Sequence, residues 1–225
     1  MLGFQLATLA QVNASGDMDF FKMLVWPGGG SIGVLLWVLS VVLVALCIQF
    51  FISIRQGNIL PDLVKQQIQA LFDNKQYREA IEVTATEPSM LSYVVHAALS
   101  EAAHGYASME RAMEEASEEK STAMLRKIEW LNLLGNIAPM LGLLGTVWGM
   151  ILMFMEIVAA KGIPSPDKLA YAIGIALVTT LLGLMIAIPA LGAFAILRNR
   201  IDALSDQVVM RAQELISTFR PAPKA

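Results

Sequence analysis

The sequence predicts an all-α membrane protein with three transmembrane helices and long cytoplasmic helical extensions. Hydrophobic residues make up 56% and charged residues 16% of its 225 positions, whereas soluble domains carry about 25% charge. Three stretches are free of internal charge and reach the roughly 20 residues that a helix needs to cross a bilayer. We place these spans at residues 31–54, 129–156 and 169–197.

Basic residues near the spans favour one orientation through the positive-inside rule. With three crossings, six of them share one side of the membrane: Arg55, Lys65, Arg126, Lys127, Arg198 and Arg200. The N-terminus is then periplasmic and the C-terminus cytoplasmic. This assigns residues 55–128 to a cytoplasmic domain, 157–168 to a periplasmic loop and 198–225 to a cytoplasmic C-terminal helix and tail.

Residues 1–30 form the predicted periplasmic N-terminus or interfacial segment. Their opening, MLGFQLATLAQ, is similar to the apolar region of a secretory signal but has no basic residues before it. Cleavage therefore stays an alternative to an uncleaved segment. The single cysteine, Cys47, lies in an apolar run, and we interpret it as a small buried residue.

The sequence pattern predicts a series of helices in the cytoplasmic domain. The first follows Pro61, with apolar residues at helical spacing: Leu63, Val64, Ile68 and Leu71. Two more are predicted over 75–84 and 89–104, and a fourth from Ser108 continues into the second span. The tail continues the third span to about Phe219. We interpret the acidic run at 114–120 as a solvated helix face, with partner docking as the alternative.

Small residues recur along the second and third spans. In the second, Gly135, Gly142 and Gly149 repeat every seven residues, with Gly145 on the same side and Pro139 among them; in the third they are Gly174, Ala176, Thr180, Gly183, Ala187 and Ala190, with Pro189. Small residues let helix backbones approach closely in lipid. We expect these faces to meet a neighbouring subunit or a central object, which implies an oligomer with the bulky first span outside.

The segments GNIAPMLGLLGTVWGMI (135–151) and ALVTTLLGLMIAIPA (176–190) resemble the ExbB/TolQ/MotA family of ion-channel motor subunits. Three spans with a large loop after the first fit ExbB and TolQ better than four-span MotA. The resemblance implies a homopentameric ring in the bacterial inner membrane. The ring would surround two copies of a single-span ExbD-, TolR- or MotB-like partner that carries an intramembrane Asp, with lipid outside. Flow of H⁺ or Na⁺ would drive work in the periplasm.

The family motif assigns an ion pathway to Thr146 and Thr180. The family's third-span glutamate is absent, since Ile175 stands in its place and 169–197 holds no ionisable side chain of the Asp, Glu, His, Lys or Arg type. We hypothesise that Thr179 adds a hydroxyl for a sodium-capable site; the alternative is a bond back to a carbonyl one turn earlier.

Three other polar side chains border the second span. Glu156 is a possible entrance charge, or an interfacial residue paired with Lys161. Asn132 and Asn136 either polarise the exit or bond to another helix.

Other functional classes lack support in the sequence. We expect no catalytic residues, no metal site, no cofactor and no nucleic-acid binding, since the net charge is −3 and GLLGTVWG lacks the Lys of a phosphate-binding loop. A small-solute transporter would show an inverted repeat. The rival function is a non-conducting membrane scaffold in which the glycines only pack helices.

Overall fold

The structure is a computed structural model that describes residues 30–160 and 165–220. Within these ranges the chain is helical and contains no strand. The helices in chain order are α1 Gly30–Ser53, α2 Gln56–Ile59, α3 Asp62–Asp73, α4 Tyr77–Thr86, α5 Met90–Ser100, α6 Tyr106–Ala159 and α7 Pro166–Ile216. Short 3-10 helices follow α5 at Ala102–His104 and α7 at Ser217–Phe219. The predicted segment 1–30 lies almost wholly outside the described residues.

Three of these helices, α1, α6 and α7, are long and apolar enough to cross a membrane. The second predicted span lies inside α6, which has 54 residues, and the third lies inside α7, which has 51. The second span is therefore continuous with the helical segment before it, and the third span is continuous with the helical segment after it. Pro139 and Pro189 lie inside these helices, which transmembrane helices tolerate because neighbouring groups can compensate for the lost hydrogen bond.

Local sequence features explain where α6 and α7 begin. Gly105 precedes α6 with a φ of +94°, a left-handed conformation that glycine adopts without a steric penalty. Pro166 opens α7 at the first helical position, where a missing N–H costs nothing, and Asp167 in the first turn suits the positive end of the helix dipole.

The described chain divides into two compact units. The membrane unit comprises the described residues of Met1–Cys47 and Trp130–Phe194. In its α1, Leu36 and Leu43 are buried, while the remaining bulky side chains are largely exposed, including Val34, Leu35, Trp37, Val38, Val41 and Val44. Such an apolar exposed surface is typical of a helix that contacts lipid.

The extension unit comprises the described residues of Ile48–Glu129 and Ala195–Ala225. The predicted apolar stripe of the C-terminal helix forms part of its core: Ile201, Leu204, Val208 and Leu215 are all buried. In the 3-10 helix after α7, the Phe219 ring packs edge-on against Phe72, with ring centroids 5.5 Å apart. Lys65 on α3 and Glu214 on α7 form an ion pair at 2.9 Å.

Two residues of the predicted apolar set are not in this core. Leu63 is 80% exposed and Leu71 is partly exposed, whereas Ile68 is fully buried and Val64 is nearly so. Val64, Ile68 and Phe72 follow one another at intervals of four and define the buried face of α3. Leu63 lies about 100° from Val64 around the helix, in the direction away from Ile68, and is therefore outside the buried face.

Candidate functional site

The second and third spans pack closely against each other in the membrane unit. A Cβ atom added at Gly142 would lie 3.0 Å from the Thr179 carbonyl oxygen and 3.1 Å from the Thr180 Cα. A Cβ atom at Gly183 would lie 2.7 Å from the Ala138 carbonyl oxygen. Because the opposing atoms belong to the backbone, only glycine permits this approach.

The same close packing continues towards both ends of the spans. A Cβ atom at Gly149 would lie 2.9 Å from the Ala172 carbonyl oxygen, and one at Gly135 would lie 2.7 Å from the Leu191 side chain. As residue numbers fall along α6 they rise along α7, so the two helices run antiparallel.

These contacts correct the expected role of the second-span glycines. We expected Gly135, Gly142, Gly145 and Gly149 to meet a neighbouring subunit or a central object, but all four lie against the third span of the same chain. The repeat of seven identified the small face correctly, and the antiparallel arrangement of α6 and α7 supplies its partner.

Thr179 lies inside this interface. It is fully buried, and its hydroxyl donates to the carbonyl oxygens of Ile175 at 3.1 Å and Ala176 at 3.0 Å. A Cβ atom at Gly145 would lie 2.5 Å from the Thr179 Cβ. This geometry favours the alternative interpretation of Thr179, in which its hydroxyl bonds back along its own helix.

Thr146 and Thr180 lie at one edge of the same interface. Gly145 and Thr179 face each other, and each threonine is the next residue along its own helix. A step of one residue turns the side chain by about 100°. In an antiparallel pair the two turns lead to the same edge, so we infer that the side chains of Thr146 and Thr180 both lie at this edge.

The two threonine hydroxyls at this edge differ in the lengths of their hydrogen bonds to backbone carbonyl oxygens. Thr146 donates to the Leu143 carbonyl oxygen at 2.6 Å. Thr180 has two long contacts, 3.4 Å to the Gly142 carbonyl oxygen on the opposite helix and 3.3 Å to the Ala176 carbonyl oxygen. Both residues are partly exposed. A hydroxyl both donates and accepts, so this edge can contact a water chain, a hard cation or a carboxyl group.

Glu156 near the end of the second span is paired. Its carboxylate accepts from the Lys168 ammonium group at 2.9 Å, and its side chain is 26% exposed. The partner suggested by the sequence, Lys161, lies outside the described residues. The Lys168 charge offsets that of Glu156 and reduces its attraction for a cation at this end.

The remaining candidates near the second span have structural partners. The Asn136 amide donates to the Asn132 carbonyl oxygen at 2.8 Å and to its side-chain oxygen at 3.0 Å, so these residues bond within one helix. Ile175, at the position of the family's carboxylate, is buried.

Of the residues that face the glycines, Ala176 was among the small residues predicted in the third span, and its methyl group faces Gly149. Sequence reasoning missed Ala138 and Ala172, whose carbonyl oxygens face Gly183 and Gly149. Small size is their only signal in the sequence, and alanine is common in apolar helices. Lys168 was likewise visible as a charge but not as the partner of Glu156.

Comparison with known proteins adds an independent observation. The model of the MotA/TolQ/ExbB proton channel family matches residues 61–210, which include all of the second and third predicted spans. The matched region therefore contains both faces of the packed helix pair and both edge threonines.

Individual relatives agree over shorter segments. The biopolymer transport protein exbB1 of Vibrio cholerae is 48% identical over 67 residues, which cover 30% of this chain and 29% of that protein. ExbB of Xanthomonas campestris pv. campestris is 41% identical over 86 residues, 38% of this chain and 34% of that protein. The Tol-Pal system protein TolQ of Haemophilus influenzae is 34% identical over 94 residues, 42% and 41% respectively. The matches span less than half of each relative.

Proposed function

The chain belongs to the MotA/TolQ/ExbB proton channel family, and we propose that it is the ion-channel subunit of a membrane motor. Its three long apolar helices and its family make it a membrane protein. The observation that carries the proposal is the shared edge of Thr146 and Thr180. It offers two partly exposed hydroxyls beside the closely packed interface of the second and third spans.

In the proposed assembly five copies form a ring in the bacterial inner membrane, with the N-terminus periplasmic and the C-terminus cytoplasmic. The threonine edge of each copy faces the ring axis. Two single-span ExbD-, TolR- or MotB-like partners occupy the axis and each supplies an intramembrane Asp. The glycine packing within each subunit supports this arrangement, because it leaves the threonine edge free for the partner.

The partner's carboxyl group is necessary because this chain has none in the third span. An intramembrane acid is expensive in lipid and is normally functional. Facing the threonines, it would be charged when empty and neutral after taking up H⁺ or Na⁺. The membrane potential supplies about 2.3 kcal/mol per elementary charge per 100 mV, which the assembly converts into work in the periplasm.

The family description favours H⁺ as the transported ion. Thr179 is not part of the proposed pathway, because its hydroxyl is buried and bonded within α7. The hypothesis of a sodium-capable site depended on this extra hydroxyl, so the hypothesis loses its support. Glu156, paired with Lys168, has at most a minor role at the entrance.

Flux measurements test the proposal. The chain is reconstituted into liposomes with the single-span product of a neighbouring gene, and H⁺ and Na⁺ uptake are measured under an imposed potential. We expect H⁺ uptake that needs both proteins and falls at least tenfold in the double variant Thr146→Val/Thr180→Val. The matched control Thr218→Val removes a hydroxyl in the extension unit and leaves uptake unchanged.

The rival function is a non-conducting scaffold. Ile175 in place of the carboxylate favours it, as does the close packing of Gly135, Gly142, Gly145, Gly149 and Gly183 within the chain. A scaffold predicts assembly with the partner but no uptake of either ion, in wild type and variants alike.

A further inference from the structure

Apart from its tryptophans, the second span carries three polar side chains. Within residues 130–155 these are Asn132, Asn136 and Thr146, and the same stretch has no Asp, Glu, His, Lys or Arg. At about 100° per residue, all three lie within an arc of about 80° around α6. The arc begins at Thr146 and extends away from the glycine face that packs on the third span. We call it the polar side of α6.

The opposite side of α6 is apolar. Ile137 lies about 180° from Thr146 around the helix, and Trp130 and Trp148 each lie about 160° from it. All three of these side chains are exposed. Bulky apolar residues suit the lipid tails, and tryptophan suits the interface of the bilayer with water. The helix thus has one side suited to lipid and, opposite it, a side suited to water.

The amide group of Asn136 on the polar side is held in one orientation. Its nitrogen donates to the Asn132 carbonyl oxygen at 2.8 Å and to the Asn132 Oδ1 atom at 3.0 Å. Because both acceptors are oxygen atoms, the nitrogen must face Asn132, and the Oδ1 atom of Asn136 points away from it. Asn136 is exposed. Its oxygen is therefore presented outside the helix as an acceptor with a fixed direction.

This exposed amide lies well inside the span. Asn136 comes seven residues after Glu129, the nearest charged residue of α6, so about 10 Å of helix separates them. Polar side chains at such a depth are costly in lipid, and they normally face the interior of a bundle or a water-filled cavity. The exposure and depth of Asn136 together favour water on the polar side.

Pro139 adds a backbone acceptor between the two amides and Thr146. Proline has no N–H, so the Gly135 carbonyl oxygen receives no helical hydrogen bond from position 139. Asn132, Pro139 and Thr146 follow one another at intervals of seven, which keeps them within about 40° of each other around the helix. Oxygen acceptors therefore recur along the polar side from Thr146 towards residue 130.

We propose that the polar side of α6 is the exit of the ion pathway, where Asn136 orients a chain of water molecules that carries the proton away from Thr146. This inference rests on the function proposed above. In the proposed orientation the exit leads to the cytoplasm. The Oδ1 atom of Asn136 accepts a hydrogen bond from one water of the chain and fixes its direction.

The proton itself moves between oxygen atoms of acid and water. The O–H bond of the partner's carboxyl group breaks, which leaves a carboxylate, and a new O–H bond forms on a water to give a hydronium ion. The excess proton then passes from water to water. Neither asparagine takes it up, because an amide is not a base at neutral pH. Asn136 is thus a positioning residue.

Uptake of H⁺ by liposomes that contain the full chain and its single-span partner tests this role. Asn136→Leu removes the acceptor and should lower uptake about fivefold, the effect of losing an ordinary hydrogen bond. Asn136→Ser keeps an acceptor oxygen and should restore most of the uptake. Ile137→Leu, at the same depth on the opposite side, is the matched control and should leave uptake unchanged.

The results separate this inference from the proposed function. Wild-type uptake in Asn136→Leu, together with its loss in Thr146→Val/Thr180→Val, would overturn the exit and leave the proposed function standing. Absence of uptake in the wild-type complex would overturn both. Co-purification with the partner establishes that each variant assembles.

Thiol labelling gives a second measurement that does not depend on flux and decides the matter if Asn136→Leu fails to assemble. Asn136→Cys and Ile137→Cys are introduced separately into the Cys47→Ser background and assembled with the partner. A charged, water-soluble thiol reagent should modify position 136, whereas position 137 should react only with a lipid-soluble reagent. Equal reaction at the two positions would mean that protein or lipid covers Asn136, and the inference would be wrong.

Discussion

Gly145 and Thr179 are in direct contact across the second and third spans, since a Cβ atom at Gly145 would lie 2.5 Å from the Thr179 Cβ. This contact gives two adjacent threonines different environments. Thr179 is fully buried, whereas Thr180 is partly exposed at the edge that it shares with Thr146. The interface thereby separates a threonine that holds the helices together from one that is available to an ion pathway.

Replacing Gly183 with Ala should destabilise the membrane unit by about 1–3 kcal/mol, the usual cost of overpacking. The added methyl group would lie 2.7 Å from the Ala138 carbonyl oxygen, and a backbone atom cannot move aside cheaply. Thermal unfolding in detergent measures the effect. Gly192→Ala is the matched control on the same helix, because a Cβ atom there meets nothing within 4 Å. Equal melting temperatures for the two variants would contradict the close packing.

Thr179→Val and Thr180→Val should differ in ion flux although the positions are adjacent. The Thr179 hydroxyl is bonded within its helix, so its loss should leave flux within about twofold of wild type. Loss of the Thr180 hydroxyl should reduce flux about tenfold or more, since hydrogen bonds to charged groups contribute roughly 1.5–3 kcal/mol. Flux in liposomes containing the partner gives the comparison. Equal losses at the two positions would count against the assigned edge.

The Lys65–Glu214 ion pair should make the stability of the extension unit depend on pH. The hydrogen bond from Lys65, and then its charge, lower the pKa of Glu214, with a smaller contribution from Arg211. A lowered pKa stabilises the fold above the ordinary pKa of a glutamate, about 4.3, and this contribution is lost as the pH falls through the folded-state value. Wild type should therefore melt above Glu214→Gln at neutral pH, and the difference should shrink in acid.

A double-mutant cycle isolates this pair. In a Lys65→Met background, Glu214→Gln should change the melting temperature less, and with weaker pH dependence, than in wild type. The same pH-dependent difference in both backgrounds would show that Lys65 is not the cause.

Phe72→Ala should destabilise the extension unit by about 3–5 kcal/mol, as is usual for a buried aromatic residue. Phe72 is 2% exposed and packs against the rings of Tyr77 and Phe219. Leu63→Ala on the same helix should change stability by less than about 0.5 kcal/mol, because Leu63 is 80% exposed. Chemical denaturation of the full chain measures both, and a comparable loss at Leu63 would contradict the described face of α3.

Much of the fold was predictable because hydrophobic pattern and length limit what a helix can do. The long uncharged stretches identified the apolar helices, and the spacing of Ile201, Leu204, Val208 and Leu215 identified a buried stripe. At α3, however, the apolar residues occupy more than half of the helix surface. Pattern alone could not exclude Leu63 from the core.

The partner of a surface was less predictable than the surface itself. The repeat of Gly135, Gly142 and Gly149 revealed a small face, but a period along one helix carries no information about the opposing helix. For the same reason the sequence could not decide whether the Thr179 hydroxyl contributes to an ion site or bonds back along its own helix. The burial of Thr179 against Gly145 favours the bond within its helix.

Cysteine accessibility tests the threonine edge most directly. The chain has a single cysteine, so Cys47→Ser provides a background into which Thr146→Cys, Thr179→Cys and Thr180→Cys are introduced one at a time. In complexes with the partner, a positively charged, water-soluble thiol reagent should modify positions 146 and 180 and stop ion flux, while position 179 stays unmodified. Modification of position 179 as fast as position 180, or reaction of 146 and 180 only with a lipid-soluble reagent, would contradict the account.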